Sequence, residues 1–204
     1  MKIAIIGAGA TGTALATSMT RVGHDVTISS RDPEHARAAA GAAGAHAAEG
    51  YAAAIRDAEI VVLAIPYVDA GQVVAREIEG LVAGKTVIDL TNPIRPDFTG
   101  LATEGTSAAE EFQRLLPKAK VVKAFNTLFA SRQAQPDPEV EGFVAADDAA
   151  AKQQVMSLLA SMGFTPLDAG PLSAARYLEG MAFLNISLNV SNAWSWTSTW
   201  KLER

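Results

Sequence analysis

Residues 7 to 12, Gly7-Ala8-Gly9-Ala10-Thr11-Gly12, have the spacing G-x-G-x-x-G. They follow the apolar run Ile3-Ala4-Ile5-Ile6 and open a stretch with Ala14, Leu15, Met19 and Val22 at helical spacing. A strand that turns through glycines into a helix presents unpaired N–H groups and the positive helix end to an anion. Gly7 permits the tight turn, Gly9 lets the backbone approach a pyrophosphate, and Gly12 lets helix and strand pack closely. The chemistry this predicts is dinucleotide binding by Gly7, Gly9, Ala10, Thr11 and Gly12.

The end of the second predicted strand selects the cofactor. A site for NAD places Asp or Glu there to hold the ribose 2′-hydroxyl. This chain has Ser29-Ser30-Arg31. A hydroxyl beside a guanidinium suits a 2′-phosphate, which a carboxylate would repel. Asp32 comes next, but with Pro33 behind it the residue reads as a helix cap turned away from the ribose. The expected cofactor is NADP(H), held at this end by Ser30 and Arg31.

Ligands of an open α/β sheet bind at the C-terminal ends of its strands. Those ends read Ile65-Pro66-Tyr67, Leu90-Thr91-Asn92-Pro93, Phe125-Asn126-Thr127 and Asp168-Ala169-Gly170-Pro171. None carries His or Cys, and no Tyr stands four residues before a Lys. Reduction of a ketone needs a proton donor to the developing alkoxide. Hydride transfer between two ring systems needs mainly contact and orientation. The expectation is therefore no catalytic side chain, and Asn92 and Pro93, at one of these ends, are expected to bind cofactor. Lys123 is either an active-site cation or a packed lysine, because alternation from Asn126 leaves its face open. Asp168 is read as capping the following turn, and His24 as a turn residue at the opposite end of the sheet.

Elements that position these groups follow from periodicity. Strands are expected at 3–6, 25–30, 59–65, 85–90, 119–125, 142–146 and 164–168, with a short one near 45–47. Helices are expected at 11–21, 32–40, 51–57, 67–81, 107–116 and 147–162, and over most of 172–190. Such alternation predicts an α/β fold, a doubly wound, mostly parallel sheet of the NADP-binding Rossmann type with a short helical C-terminal extension. The expected division is 1–170 for the NADP-binding domain and 171–204 for a C-terminal helix and tail packing on the sheet or a dimer partner.

Composition narrows the function classes. The 204 residues carry 17 Lys and Arg against 22 Asp and Glu, a formal charge of −5, which argues against gripping nucleic acid or anionic membranes. Cysteine is absent and His24, His35 and His46 have no metal-ligand spacing, so no metal site is expected. The longest aliphatic run, Ile60 to Ile65, is far short of a membrane span. A soluble, cytoplasmic protein is the expectation.

The segments IIGAGATGTALA, SSRDPEHA, VVLAIP, VVKAFNT and PLDAGPLSAARYLEGMAFLNISLN resemble the NADPH-dependent coenzyme F420 (8-hydroxy-5-deazaflavin) reductases nearly end to end. The cytoplasmic domains of the six-transmembrane metalloreductases, which pass NADPH electrons to a flavin, are similar too. The resemblance implies pyrophosphate binding by Thr11 and the glycines, and 2′-phosphate binding by Ser30 and Arg31. It puts His35 where a stronger basic residue is common, Ile65 and Pro66 on the nicotinamide side, and Asn126, Thr127 and Leu128 around the acceptor pocket. The implied acceptor is F420, or FMN or FAD, and the implied assembly is a homodimer using the C-terminal helix. Asn126 stands where the deazaflavin reductases tend to have His, closer to the metalloreductase pattern. Trp194, Trp196 and Trp200 either stack on an acceptor ring or pack at an interface or sheet edge. Two other functions stay open: a non-catalytic NADPH-sensing module, and a small imine or β-hydroxyacid reductase, for which the chain after residue 170 is short.

Overall fold

The structure, a computed structural model, describes residues 1–203. Its elements in chain order are β1 (Lys2–Ile6), α1 (Ala10–Arg21), β2 (Asp25–Ser29), α2 (Pro33–Ala43), β3 (His46–Ala47), α3 (Tyr51–Ile55) and β4 (Ile60–Leu63). There follow α4 (Gln72–Ile78), β5 (Thr86–Asp89), α5 (Ala108–Leu115), β6 (Lys120–Ala124), α6 (Ala130–Ala134), β7 (Glu141–Ala146), α7 (Ala149–Met162), β8 (Thr165–Gly170) and α8 (Ala175–Asn192). The eight strands form one sheet in the order β3-β2-β1-β4-β5-β6-β7-β8. All neighbours are parallel except β6 and β7, which run antiparallel. The predicted doubly wound α/β sheet is thus present, with one reversal near its far edge.

Alternation along the strands builds two cores. Ile3, Ile5, Val62, Ile88 and Val122 point to one face, where α1, α2 and α7 cover them. Ala4, Ile6, Val61, Leu63, Val87 and Val121 point to the other, under α3, α4, α5 and the start of α8. Every residue of β4 and β5 is buried, as expected of strands covered on both faces.

Helix starts follow the capping chemistry. The Asp32 carboxylate accepts from the Glu34 N–H at 2.9 Å, with Pro33 opening α2. Ser107 and Asp148 cap α5 and α7 in the same way. The predicted helix 67–81 is broken into three: a π-helical turn Tyr67–Gly71, α4, and a 3₁₀ turn Glu79–Leu81. Helix α6 was not foreseen; it is one short turn between the Asn126 segment and Pro136. Residues 194–203 contain no strand and lie against α6 and α8. Ser131 Oγ donates to the Trp196 carbonyl at 2.5 Å, and the Trp196 and Phe129 rings meet edge to face at 5.3 Å. No described helix is long and apolar enough to cross a membrane.

Candidate functional site

The glycine loop lies at the C-terminal edge of the sheet, between β1 and α1. A Cβ on Gly7 would sit 2.1 Å from the Ala64 carbonyl oxygen, and one on Gly12 would sit 2.2 Å from the Gly7 carbonyl oxygen. Gly7 also has a φ of +121°, in the region that L side chains avoid. These two glycines let β1, β4 and α1 approach one another. Gly9 differs: a Cβ there would meet nothing within 4 Å. It is the N-cap of α1, and no side chain caps that helix. A phosphate is the group such a turn accommodates. Ala10, the first residue of α1, is exposed.

Two clefts flank this loop. The first, about 300 Å³, is lined by Gly7, Ala8 and Gly9 on one side and by Ser30, Arg31, Asp32 and His35 on another. Arg31 is exposed and has no ion-pair partner among the described residues. The Asp32 carboxylate is engaged by the Glu34 N–H and stands 3.6 Å from His35 Nδ1. It caps the helix start as predicted, yet Asp32 also lines the cleft beside Ser30 and Arg31 and is not turned away from it. Ile65 and Pro66 line this same cleft with Tyr51 and Val74. The resemblance implies that Ile65 and Pro66 lie on the nicotinamide side, and β4, which leads into them, stands between β1 and β5.

The second cleft, about 200 Å³, opens on the other side of the loop. Thr11 and the ends of β5 and β6 line it, with Asn92, Phe125, Asn126, Thr127 and Leu128, and α8 adds Ala182, Asn185 and Ile186. Asn92 and Asn126 are joined twice: Asn126 Nδ2 donates to Asn92 Oδ1, and Asn92 Nδ2 donates to the Asn126 carbonyl, both at 3.0 Å. Asn126 Nδ2 also donates to the Leu178 carbonyl of α8 at 3.0 Å. Gln133 Nε2 donates to the carbonyls of Phe125 and Leu128. The buried amide oxygens of Asn126 and Gln133 are left without a partner. Phe125, wholly buried, has φ 63°, a strained conformation for a bulky residue, and it turns the chain out of β6 toward Asn126. Pro93 is buried and lines neither cleft; its carbonyl accepts from Ala102 N–H at 2.6 Å. None of residues 194–203 lines the second cleft.

A family model described as "NADP oxidoreductase coenzyme F420-dependent" matches residues 2–93. The F420-dependent NADP reductase of Methanothermobacter marburgensis is 31% identical over 218 residues, an alignment covering 94% of this chain and 94% of that protein. The chain belongs to the F420-dependent NADP reductases, a family of NADP-dependent oxidoreductases. The crystal structure of a candidate F420-dependent NADP reductase from Arthrobacter sp. FB24 matches with a TM-score of 0.89 at 30% identity, over 100% of both chains. Metalloreductase STEAP3 of Rattus norvegicus is 31% identical over 88% of this chain, which spans 36% of that protein's length.

In this F420-dependent NADP reductase family member, Lys123 is withdrawn from both clefts. Its ammonium is wholly buried and donates to Asp89 Oδ2 at 2.9 Å, Glu179 Oε1 at 2.8 Å and the Thr91 carbonyl at 2.5 Å. Burial favours the neutral amine, but the Asp89 and Glu179 carboxylates outweigh it and hold the Lys123 pKa above its usual value. At Glu179 burial outweighs the pull of Lys123 and raises the carboxyl pKa. Asp168 does cap its turn, accepting from the Gly170 N–H and from Lys152, which together keep its carboxyl below the usual range. Sequence reasoning missed Gln133, Asn185 and Ile186 as cleft residues. For Asn185 a signal existed: Asn185 and Asn189 stand four apart on α8, and both are buried and bonded to each other.

Proposed function

We propose that the chain transfers hydride between NADP(H) and a ring acceptor, a deazaflavin of the F420 type or a flavin such as FMN or FAD, without a side-chain acid. The observation that carries this reading is the pair of clefts on either side of one glycine loop. One offers Ser30 and an unpaired Arg31; the other offers amides, a hydroxyl and apolar walls. When bound, NADPH supplies from its nicotinamide ring the hydride, two electrons with one hydrogen, and solvent supplies the proton that completes reduction of the acceptor.

The chain's own residues then bind, orient and exclude water. Gly7, Gly9, Ala10, Thr11 and Gly12 hold the pyrophosphate against α1. Ser30 and Arg31 take the 2′-phosphate with weaker help from His35, and Ile65 and Pro66 line the nicotinamide side. Asn92 and Asn126 hold each other in fixed orientation at the ring end, above the buried Pro93. Thr127 and Leu128 wall the acceptor, and the strained Phe125 aims that segment. An acceptor pocket clear of tail side chains favours the reductase over a non-catalytic NADPH sensor.

We take residues 1–170 as the NADP-binding unit and 171–204 as an extension on which a homodimer forms. The exposed apolar residues of α8, with Tyr177 77% and Val190 62% accessible, support that assembly. Sedimentation of the wild-type chain and of Val190→Glu reads it directly. The test of function is NADPH oxidation by the purified chain with F420, FMN and FAD offered in parallel. Turnover with one ring names the acceptor. Tight NADPH binding with no turnover on any ring overturns the reading in favour of a sensor.

A further inference from the structure

We propose that Glu179, through Lys123, is a positioning residue that sets the width of the acceptor cleft by holding α8 against the ends of β5 and β6. The proposal rests on the hydride-transfer reading above for the cleft's role, and on the geometry of the ion cluster for its mechanism.

The cleft has two walls from distant parts of the chain. One is the pair of strand ends carrying Asn92 and Asn126; the other is the stretch of α8 carrying Ala182 and Ile186. These walls are joined by a single buried cation. Lys123 Nζ uses all three of its N–H bonds, one each on Asp89, Thr91 and Glu179. The Thr91 carbonyl that it holds belongs to the residue before Asn92. Asp89 holds the same residue from its other side, accepting from the Thr91 N–H at 2.8 Å. Thr91 is thus fixed at both backbone groups by side chains of the cluster.

Glu179 fixes the opposite wall. Its carboxylate also accepts the Ala108 N–H at the start of α5, at 3.0 and 3.2 Å from the two oxygens. Three and seven residues further along α8 lie Ala182 and Ile186, on the same helical face as Glu179. A shift of Glu179 therefore moves the wall it belongs to. The one other polar tie nearby, from Asn126 to the Leu178 carbonyl, sits beside it and is weaker, a neutral bond in place of charged ones. A cluster needed only for folding stability would not have to join these two particular segments. Here both residues gripped by Lys123 outside its own strand pair lead directly into cleft residues.

The test compares Glu179→Gln, which keeps an oxygen for Lys123 and Ala108, with Glu179→Ala, which keeps none. Removing Glu179 leaves Lys123 paired with Asp89, so no lone charge is buried. The readouts are acceptor kcat/KM, the Kd of NADPH, and the Kd of adenosine 2′,5′-bisphosphate, which reports the first cleft alone. Expected for Glu179→Gln are values within about twofold of wild type. For Glu179→Ala the acceptor kcat/KM falls by about tenfold or more, as small misplacements at a reacting pair can cause. NADPH loses affinity relative to the bisphosphate, whose own Kd stays unchanged. A folded Glu179→Ala enzyme with wild-type acceptor kinetics overturns the proposal, and so does a parallel loss of bisphosphate affinity, the mark of general loosening.

A second variant, K123M/D89N/E179Q, removes all three charges while leaving polar partners for the Thr91 and Ala108 N–H groups. It should show the same selective loss, and wild-type kinetics in it would again overturn the proposal. If wild type reduces no ring acceptor, the functional reading fails on its own. The ratio of NADPH to bisphosphate affinity in Glu179→Ala still decides the positioning role.

Discussion

Asp89 and Lys123 stand opposite one another in the register of β5 and β6, and their charged groups meet at 2.9 Å with no solvent access to either side chain. A charged pair in the middle of a parallel sheet replaces what its neighbours, Leu63 and Val121, do by simple burial. Glu179 adds a second carboxylate from α8, so the buried cluster carries one more negative than positive charge when fully ionised. The N-terminal amide of Ala108 partly offsets it.

Removing the cation alone exposes this imbalance. Lys123→Met should cost about 3–5 kcal/mol, because two buried carboxylates then face each other. Adding Asp89→Asn and Glu179→Gln should recover most of that loss. Chemical denaturation of the single and triple variants checks it; equal stability of the two would show that the charges are not coupled.

The glycine loop makes a prediction that separates folding from binding. Gly12→Ala places a methyl 2.2 Å from the Gly7 carbonyl oxygen and should destabilise by about 3 kcal/mol or more. Gly9→Ala meets no protein atom and should hold or slightly raise the melting temperature, since alanine loses less backbone freedom on folding. On the proposed placement of the cofactor its methyl stands in the path of the pyrophosphate, so NADPH affinity should fall by about tenfold. Thermal melts with and without NADPH distinguish the two glycines.

On the proposed placement of the cofactor, Arg31→Glu sets a carboxylate against the 2′-phosphate. Losing a charge-assisted bond and gaining repulsion should raise the Kd of NADPH roughly a hundredfold, about 2.8 kcal/mol. NADH, which lacks that phosphate, should bind unchanged or better. Titration of both cofactors measures the difference, and equal effects on the two would remove Ser30 and Arg31 from 2′-phosphate recognition.

Acid stability has a traceable contributor at α5. Arg176 donates to both oxygens of Glu110 at 2.6 and 2.8 Å, and this pairing, with help from Ser107, lowers the Glu110 pKa. A depressed carboxyl stabilises the fold above its ordinary pKa and loses that contribution as pH falls through the lowered value. With Arg176 half exposed, solvent screens the pair and the contribution is small. Glu110→Gln should therefore lower the melting temperature at neutral pH and match wild type in strong acid. A pH-independent difference would assign the effect to packing.

Much of this arrangement was legible in the residues. The glycine spacing, the Asp32-Pro33 start of α2 and the Asp168 turn each depend on contacts within a few positions, where sequence and geometry are tightly linked. Lys123 was not legible, for a definite reason. Counting faces back from Asn126 assumes an unbroken strand, and Phe125 at φ 63° breaks the alternation between them. The α8 contribution to the second cleft was hidden because it comes from residues some 60 positions from Asn126, brought back only by the packing of Glu179 and Leu178.

The sheet ends in two strands of unequal length, and both discourage a further strand from joining. β3 is only two residues long. β8 is longer, but it carries Pro166, which has no N–H to donate, and it pairs with β7 through an irregular register at Val144 and Ala145. The Lys152–Asp168 ion pair, with Asp168 exposed, sits along it. Edges of this kind are poor templates for the strand-to-strand growth that drives fibrous aggregation. Copies of the chain that meet should do so through helix side chains, leaving each sheet closed to the other.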